Sequence, residues 1–225
     1  MPPDWDELFT AWRSSGQSHA RATCIQVARR ALRDKDPTHR EWFTAHLRNA
    51  ERAVFIADIF SRAPAPKWLL REMVSSSFDD GASVDFLRER ALLNARPAHV
   101  LPHLRPWLTS GTAPQRLRVA KFRPWTPPPV SEADEAAMRD HRGALLEAFF
   151  RDPDPAVQAA IARQILSSAP CPELDPLDSD ARTKILLHPE RYGFTGRPRG
   201  FAKVWQTVAE ALRRWRGDYG TRGLT

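Results

Sequence analysis

Cysteine, glycine and tyrosine are scarce in this chain, and long apolar runs are missing. Two cysteines occur among 225 residues. Cys24 falls inside an apolar helical pattern and Cys171 between two prolines. They form no C-x-x-C pair and no disulfide framework, so a reducing cytoplasm is the expected setting. No segment approaches the roughly 18 consecutive apolar residues of a membrane-spanning helix, so membrane insertion is not expected. The acidic start, with Asp4, Asp6 and Glu7, lacks the apolar stretch of a secretory leader. Valine, isoleucine and threonine are sparse and no alternating run is bounded by turn residues, which argues against sheet. Gly193, Gly196 and Gly200 have neither the spacing nor the preceding strand of a phosphate-cradling loop. No Walker A, G-x-G-x-x-G or G-x-S-x-G pattern is present.

Alanine, leucine and arginine are abundant instead, and all three favour helix. Hydrophobic residues make up 42% of the chain, enough to bury a core. The net charge of +7 is uneven. From Arg182 onward ten basic residues face three acids, whereas 24 of each stand in positions 1–181. The last fifth therefore carries the whole imbalance. Of the 34 basic residues only five are lysine. A GC-rich genome produces such a bias by itself, although arginine also favours phosphate and carboxylate forks.

One stretch sets the frame for the rest. An apolar helix is expected to end near Phe149 and Phe150, followed by the turn Asp152, Pro153 and Asp154. A second helix starts with Asp154 as N-cap and Pro155 in its first turn, where a missing N–H costs nothing. Val157, Ile161, Ile165 and Leu166 give it one apolar stripe. A similar device recurs at 31–37, with Asp36 and Pro37 in the cap and first-turn roles and Trp42, Phe43, Ala45 and Leu47 as packing candidates. Helix, Asp/Pro turn and antiparallel helix, used more than once, resembles a HEAT-like repeat. Gln158 stands where such repeats often carry arginine. The resemblance implies an all-α fold of stacked antiparallel helix pairs, a short HEAT-like α-solenoid with a C-terminal capping helix.

In chain order, helical patterns are expected over 5–12, 19–33, 37–49, 50–62 (continuing the previous one or following a kink) and 67–75. A loop is expected over 75–82, then a helix capped by Ser83 that runs to Leu92 and closes at Pro97. Residues 98–109 are apolar but carry Pro102 and Pro106, which predicts a kinked helix or two turns. Pro114 opens a basic helix to 123. Five regions result: N-terminal helical repeats over 1–123, a proline-rich connector over 124–130, and the HEAT-like pair over 131–168. A second proline-rich connector over 169–179 and basic C-terminal helices over 180–225 complete the chain. Ser131 caps the 131–150 helix, with Asp134 at the capping-box position. The last helix, over 200–216, places Phe201, Val204, Trp205, Val208, Leu212 and Trp215 on one face.

No catalytic, cofactor-binding or metal-binding set emerges. His99 and His103 have ligand spacing, but Pro102 lies between them and no third ligand is indicated. Cys24 reads as a small packed thiol, and Asp79, Asp80 and Asp85 as solvated loop and helix-start charge. Chain size, basic balance and tryptophan count also resemble the HEAT-like alkylpurine DNA glycosylases. Ser83, Val84 and Asp85 match the end of that family's aromatic-acid-x-Val-acid motif, with Gly81 where the aromatic ring should stand. That resemblance implies a DNA-repair site closed by Asp85.

The better functional candidates are basic. Lys203, Arg213, Arg214 and Arg216 lie off the apolar face of the last helix, Arg197 and Arg199 just before it, and Arg116, Arg118, Lys121 and Arg123 on the helix at 114–123. The expected function is a non-enzymatic interaction or adaptor protein. It would bind a macromolecular partner, an acidic protein for instance, through the repeat groove and the basic C-terminal segment. The alternative is a nucleic-acid-binding protein that sets the same cations on phosphates. A DNA glycosylase is the remote third. An adaptor should expose an apolar or aromatic patch; a nucleic-acid binder should gather its cations on one face.

Overall fold

In the computed structural model the described residues are 3–16, 19–32, 37–61, 64–78, 92, 95–122 and 129–194. They form α-helices and short 3-10 turns, with no strand among them. The helices are α1 Trp5–Ser14, α2 His19–Ala31, α3 Pro37–His46, α4 Ala50–Phe60, α5 Lys67–Phe78, α6 Pro97–Ser110, α7 Ala113–Lys121, α8 Glu132–Arg151, α9 Pro155–Ser167 and α10 Leu177–Leu187. Turns of 3-10 helix at Pro172–Leu174 and Pro189–Tyr192 flank α10. The chain divides into two compact units, Met1–Leu145 and Leu146–Thr225. No helix among the described residues is long and apolar enough to cross a membrane.

The first unit begins with an aromatic core. The Asp4 carboxylate caps α1 by accepting from the Asp6 and Glu7 amides, and the stripe Trp5, Phe9 and Trp12 is buried. Helix α1 packs on α2 and α4, and α3 on α4 and α5. Their rings interlock: Trp5 against Phe43 at 4.9 Å, Trp12 against Phe55 at 5.3 Å, Phe43 against Phe60 at 6.2 Å. Phe43 and Leu47 are buried as expected, whereas Ala45 lies on the exposed side of α3. Asn49 caps α4 through the Arg52 amide, so α3 and α4 are separate helices across a short turn.

Helices α5, α6 and α7 pack on one another in all three pairings. One expectation is corrected here, and an open alternative is decided in favour of helix. Residues 75–78 continue α5 as helix and are not loop, because Met73, Val74 and Ser77 are buried. Residues 97–110 form one helix despite Pro102 and Pro106. Both prolines sit on its exposed side, where water can serve the carbonyls that lose an N–H, while Val100, Leu101, Leu104 and Leu108 bury the opposite stripe. Thr112 and Gln115 form a capping box at the start of α7.

In the second unit the Asp/Pro turn takes the expected form. The Asp154 carboxylate accepts from the Ala156 and Val157 amides, and Pro155 opens α9; such a cap is worth about 1 kcal/mol. Val157, Ile161 and Ile165 are buried, and Leu166 is half-buried. At the position where repeats often carry arginine, the Gln158 amide donates to the Asp152 carbonyl at 2.8 Å and closes the turn itself. Helix α9 packs on α10. Arg182 of α10 is buried with Asp178, its Nε 2.9 Å from Oδ2, and its Nη2 donates to the Ser168 carbonyl. Lys184 lies over the rings of Phe149 and Phe150. Two cations of the basic last fifth are thus consumed by packing.

Candidate anion-binding face

The sequence-derived site residues divide by position. Arg116, Arg118 and Lys121 lie on α7. The Arg116 guanidinium is half-buried and donates to the Gly111 carbonyl at 2.7 Å, bracing the α6–α7 turn. Arg118 is half-buried as well, and Lys121 is exposed. Arg123, Arg197, Arg199, Lys203, Arg213, Arg214 and Arg216 lie outside the described residues, as do Asp79, Asp80, Asp85 and the expected helix over 200–216. Among the described residues no group of His, Cys, Asp and Glu is arranged to hold a metal ion.

A larger basic set of residues includes α7 but extends beyond it. Helices α5, α6 and α7 carry Lys67, Arg71, Arg105, Arg116, Arg118 and Lys121 against one acid, Glu72. Lys67, Arg71, Arg105 and Lys121 are exposed and form no ion pair among the described residues. Because these three helices pack mutually, their cations share one small body. The signal was present in the sequence: no Asp or Glu occurs between Glu89 and Glu132. It was hidden because the charge of residues 1–181 sums to zero, with the acids gathered at either end of this stretch.

The α5–α6 side of the body has a finer order. Lys67 and Arg71 are one helical turn apart on α5; His99 and His103 are one turn apart on α6. Burial, followed by Lys67 and Arg96, pushes the His99 pKa below its ordinary 6.5, with Asp134 opposing. Burial, followed by Arg71, lowers that of His103. The two interactions run in the same direction along both helices. At neutral pH both imidazoles are therefore uncharged rings in a positive field.

One end of this face is fixed by a buried carboxylate. Asp134, at the start of α8, is fully buried. It receives Arg96 Nη2 at 2.8 Å, the Ser131 hydroxyl at 3.0 Å and the Ala98 amide at 3.2 Å. The Arg96 guanidinium, beyond what burial takes back, holds its carboxyl down to about 2. Its own amide meets the Ser131 hydroxyl at 3.3 Å, the capping geometry expected from sequence. The same side chain also serves the first turn of α6, a role outside its own helix that sequence could not show. Arg96 is therefore a structural cation, unlike its neighbours on α5.

A concavity lies in the N-terminal helices, a cleft of about 270 Å³ lined by Trp12, Arg13, Arg21, Glu51 and Val54. Its charges are already matched: Arg13 pairs with Glu51 at 2.9 Å and Arg21 with Asp58 at 2.9 Å. Large exposed apolar side chains among the described residues are Val27, Val130 and Leu187, on separate elements. Set against protein-family models, curated proteins and solved structures, the chain matches none of them.

Proposed function

We propose that the protein is a non-enzymatic helical-repeat protein that binds a polyanionic macromolecule, with nucleic-acid phosphate as the preferred ligand chemistry. The carrying observation is the basic body of α5–α7, in which the exposed cations Lys67, Arg71, Arg105 and Lys121 form no ion pair among the described residues and Glu72 is the one acid on the three helices. Unpaired cations gathered on a rigid scaffold bind a polyanion by releasing its counterions, whatever its sequence. Successive packed helices such as α1 on α2, α6 on α7 and α9 on α10 support the solenoid reading, in which antiparallel pairs stack and the segment 200–216 caps the end. The basic C-terminal cations Arg197, Arg199, Lys203, Arg213, Arg214 and Arg216 then extend the same chemistry. Cys24 and Cys171, which form no disulfide with each other, suit a reducing, cytoplasmic setting.

The adaptor reading shares the scaffold and differs in its partner, an acidic protein in place of nucleic acid. Fluorescence anisotropy with labelled duplex, single strands and a polyglutamate chain, across a salt series, separates the two. Nucleic acid should bind with a steep inverse salt dependence, and Lys67→Glu/Arg71→Glu should weaken it roughly tenfold or more. Polyglutamate binding without nucleic-acid binding would favour the adaptor. No binding to any anion at low salt overturns both versions of the proposal.

A further inference from the structure

On α6, the half-buried residues His99, His103 and Trp107 stand at i, i+4 and i+8, so three flat rings share one stripe of the helix. None of the three rings makes a hydrogen bond or a ring contact among the described residues, although rings elsewhere in this unit are densely paired. The stripe borders the apolar side that α6 buries through Val100, Leu104 and Leu108. Packed helix α5 contributes the exposed cations Lys67 and Arg71 beside the two imidazoles. A row of rings flanked by cations, neither engaged nor ion-paired among the described residues, fits one ligand chemistry better than others: unpaired bases joined by phosphodiesters. Bases stack on the rings while the backbone runs along the cations. Duplex DNA hides its base faces inside the helix and gains nothing from the rings.

We infer that the α5–α6 face is a binding site for single-stranded nucleic acid, with His99, His103 and Trp107 as the stacking surface and Lys67 and Arg71 as the phosphate contacts. This inference rests on the polyanion reading above and narrows it to one strand state and one face. Among the described residues, the charged groups that act on the stripe are Lys67, Arg96 and Asp134 at His99 and Arg71 at His103. At neutral pH the uncharged imidazoles stack without repelling the cations beside them.

The test uses the full chain and four labelled probes: an oligothymidylate, an oligouridylate, a duplex and inorganic polyphosphate. Trp107→Ala should weaken both single-strand complexes roughly tenfold and leave polyphosphate unchanged; Trp107→Phe, which keeps a ring, should bind like wild type. His99→Ala/His103→Ala supplies the same readout should Trp107→Ala fail to fold, with circular dichroism as the check. A difference between the thymidine and uridine probes decides between DNA and RNA and supports the site in either case. Retention of full single-strand affinity in both variants overturns the inference and leaves the polyanion reading intact if polyphosphate and duplex still bind. Silence from all four probes overturns both.

Discussion

The N-terminal helices α1–α4 and the α5–α6 face use the same three residue types in opposite ways. In α1–α4, rings and cations satisfy one another. The Arg21 guanidinium lies 4.1 Å over the Trp12 ring and pairs with Asp58. Arg52 lies over Phe9 and Trp42 and pairs with Asp6 at 2.8 Å. His39 is buried and accepts the Trp5 indole N–H at 3.0 Å. On α5–α6, the rings of His99, His103 and Trp107 are half-buried and make no hydrogen bond or ring contact among the described residues, and Lys67 and Arg71 are exposed. Composition alone cannot separate these cases, since both regions are rich in Arg, His and Trp. The difference lies in whether acids are interleaved: Asp6, Glu51 and Asp58 punctuate the first region, and Glu72 alone the second.

The largest effect expected from this contrast is on stability. Trp12 is 6% exposed and touches the Phe9 and Phe55 rings, so Trp12→Ala should cost about 3–5 kcal/mol. Trp107→Ala removes the same side chain from a half-buried site with no ring partner among the described residues, and should cost well under half of that. Denaturant unfolding of the two variants tests the comparison directly. Equal costs would mean that the α6 ring is core, and the binding role would lose its basis.

Histidines sharpen the same distinction through pH. His141 of α8 is buried, neither ring nitrogen has a hydrogen-bond partner among the described residues, and burial pushes its pKa from 6.5 down to about 4. The unfolded chain takes up this proton below pH 6.5, while the folded protein resists until about 4. Stability is therefore full above pH 6.5 and falls as pH drops through that window, by roughly 3 kcal/mol in all. His99 and His103, lowered but half-buried, add smaller slopes of the same sign. His141→Leu should flatten most of the slope and raise the midpoint below pH 6, because a buried polar ring without partners is replaced by an apolar side chain. An unchanged slope in urea titrations at stepped pH would show that His141 is not its source.

Much of the architecture is legible in the sequence because local rules agree with the fold. The Asp154–Pro155 cap, the stripe of α9, the Pro114 start of α7 and the Ser131–Asp134 cap all follow from side-chain chemistry within one turn of chain. Legibility fails where the deciding partner is distant. Asp134 caps α6 as well as α8, Arg182 is drawn inward by the Ser168 carbonyl, and α6 stays continuous through two prolines because its other side is buried. The candidate site was missed for a related reason. The spacing of His99 and His103 points to metal ligation, but Lys67 and Arg71, which give them their environment, come from a helix some thirty positions upstream. Trp107 completes the stripe only once 97–110 is known to be one helix.

The smallest effect expected is also the most telling for function. Arg21 and Arg71 are both arginines on helices of the first unit. The guanidinium of Arg21 is held between an indole and a carboxylate, so Arg21→Ala should lower stability by about 1–3 kcal/mol through lost cation–π, hydrogen-bond and packing terms. Arg71 is exposed, with no ion pair among the described residues, and Arg71→Ala should stay within about 0.5 kcal/mol of wild type. Paired with Lys67→Ala, it should still weaken single-strand binding several-fold and reduce the slope of log affinity against log salt by about one per cation removed. The two readouts must move apart. A surface kept for binding loses affinity without losing stability, whereas a merely solvated helix face loses neither. Should Lys67→Ala/Arg71→Ala leave both stability and salt slope untouched, the cations of α5 are solvating charges and any polyanion affinity belongs to another basic segment.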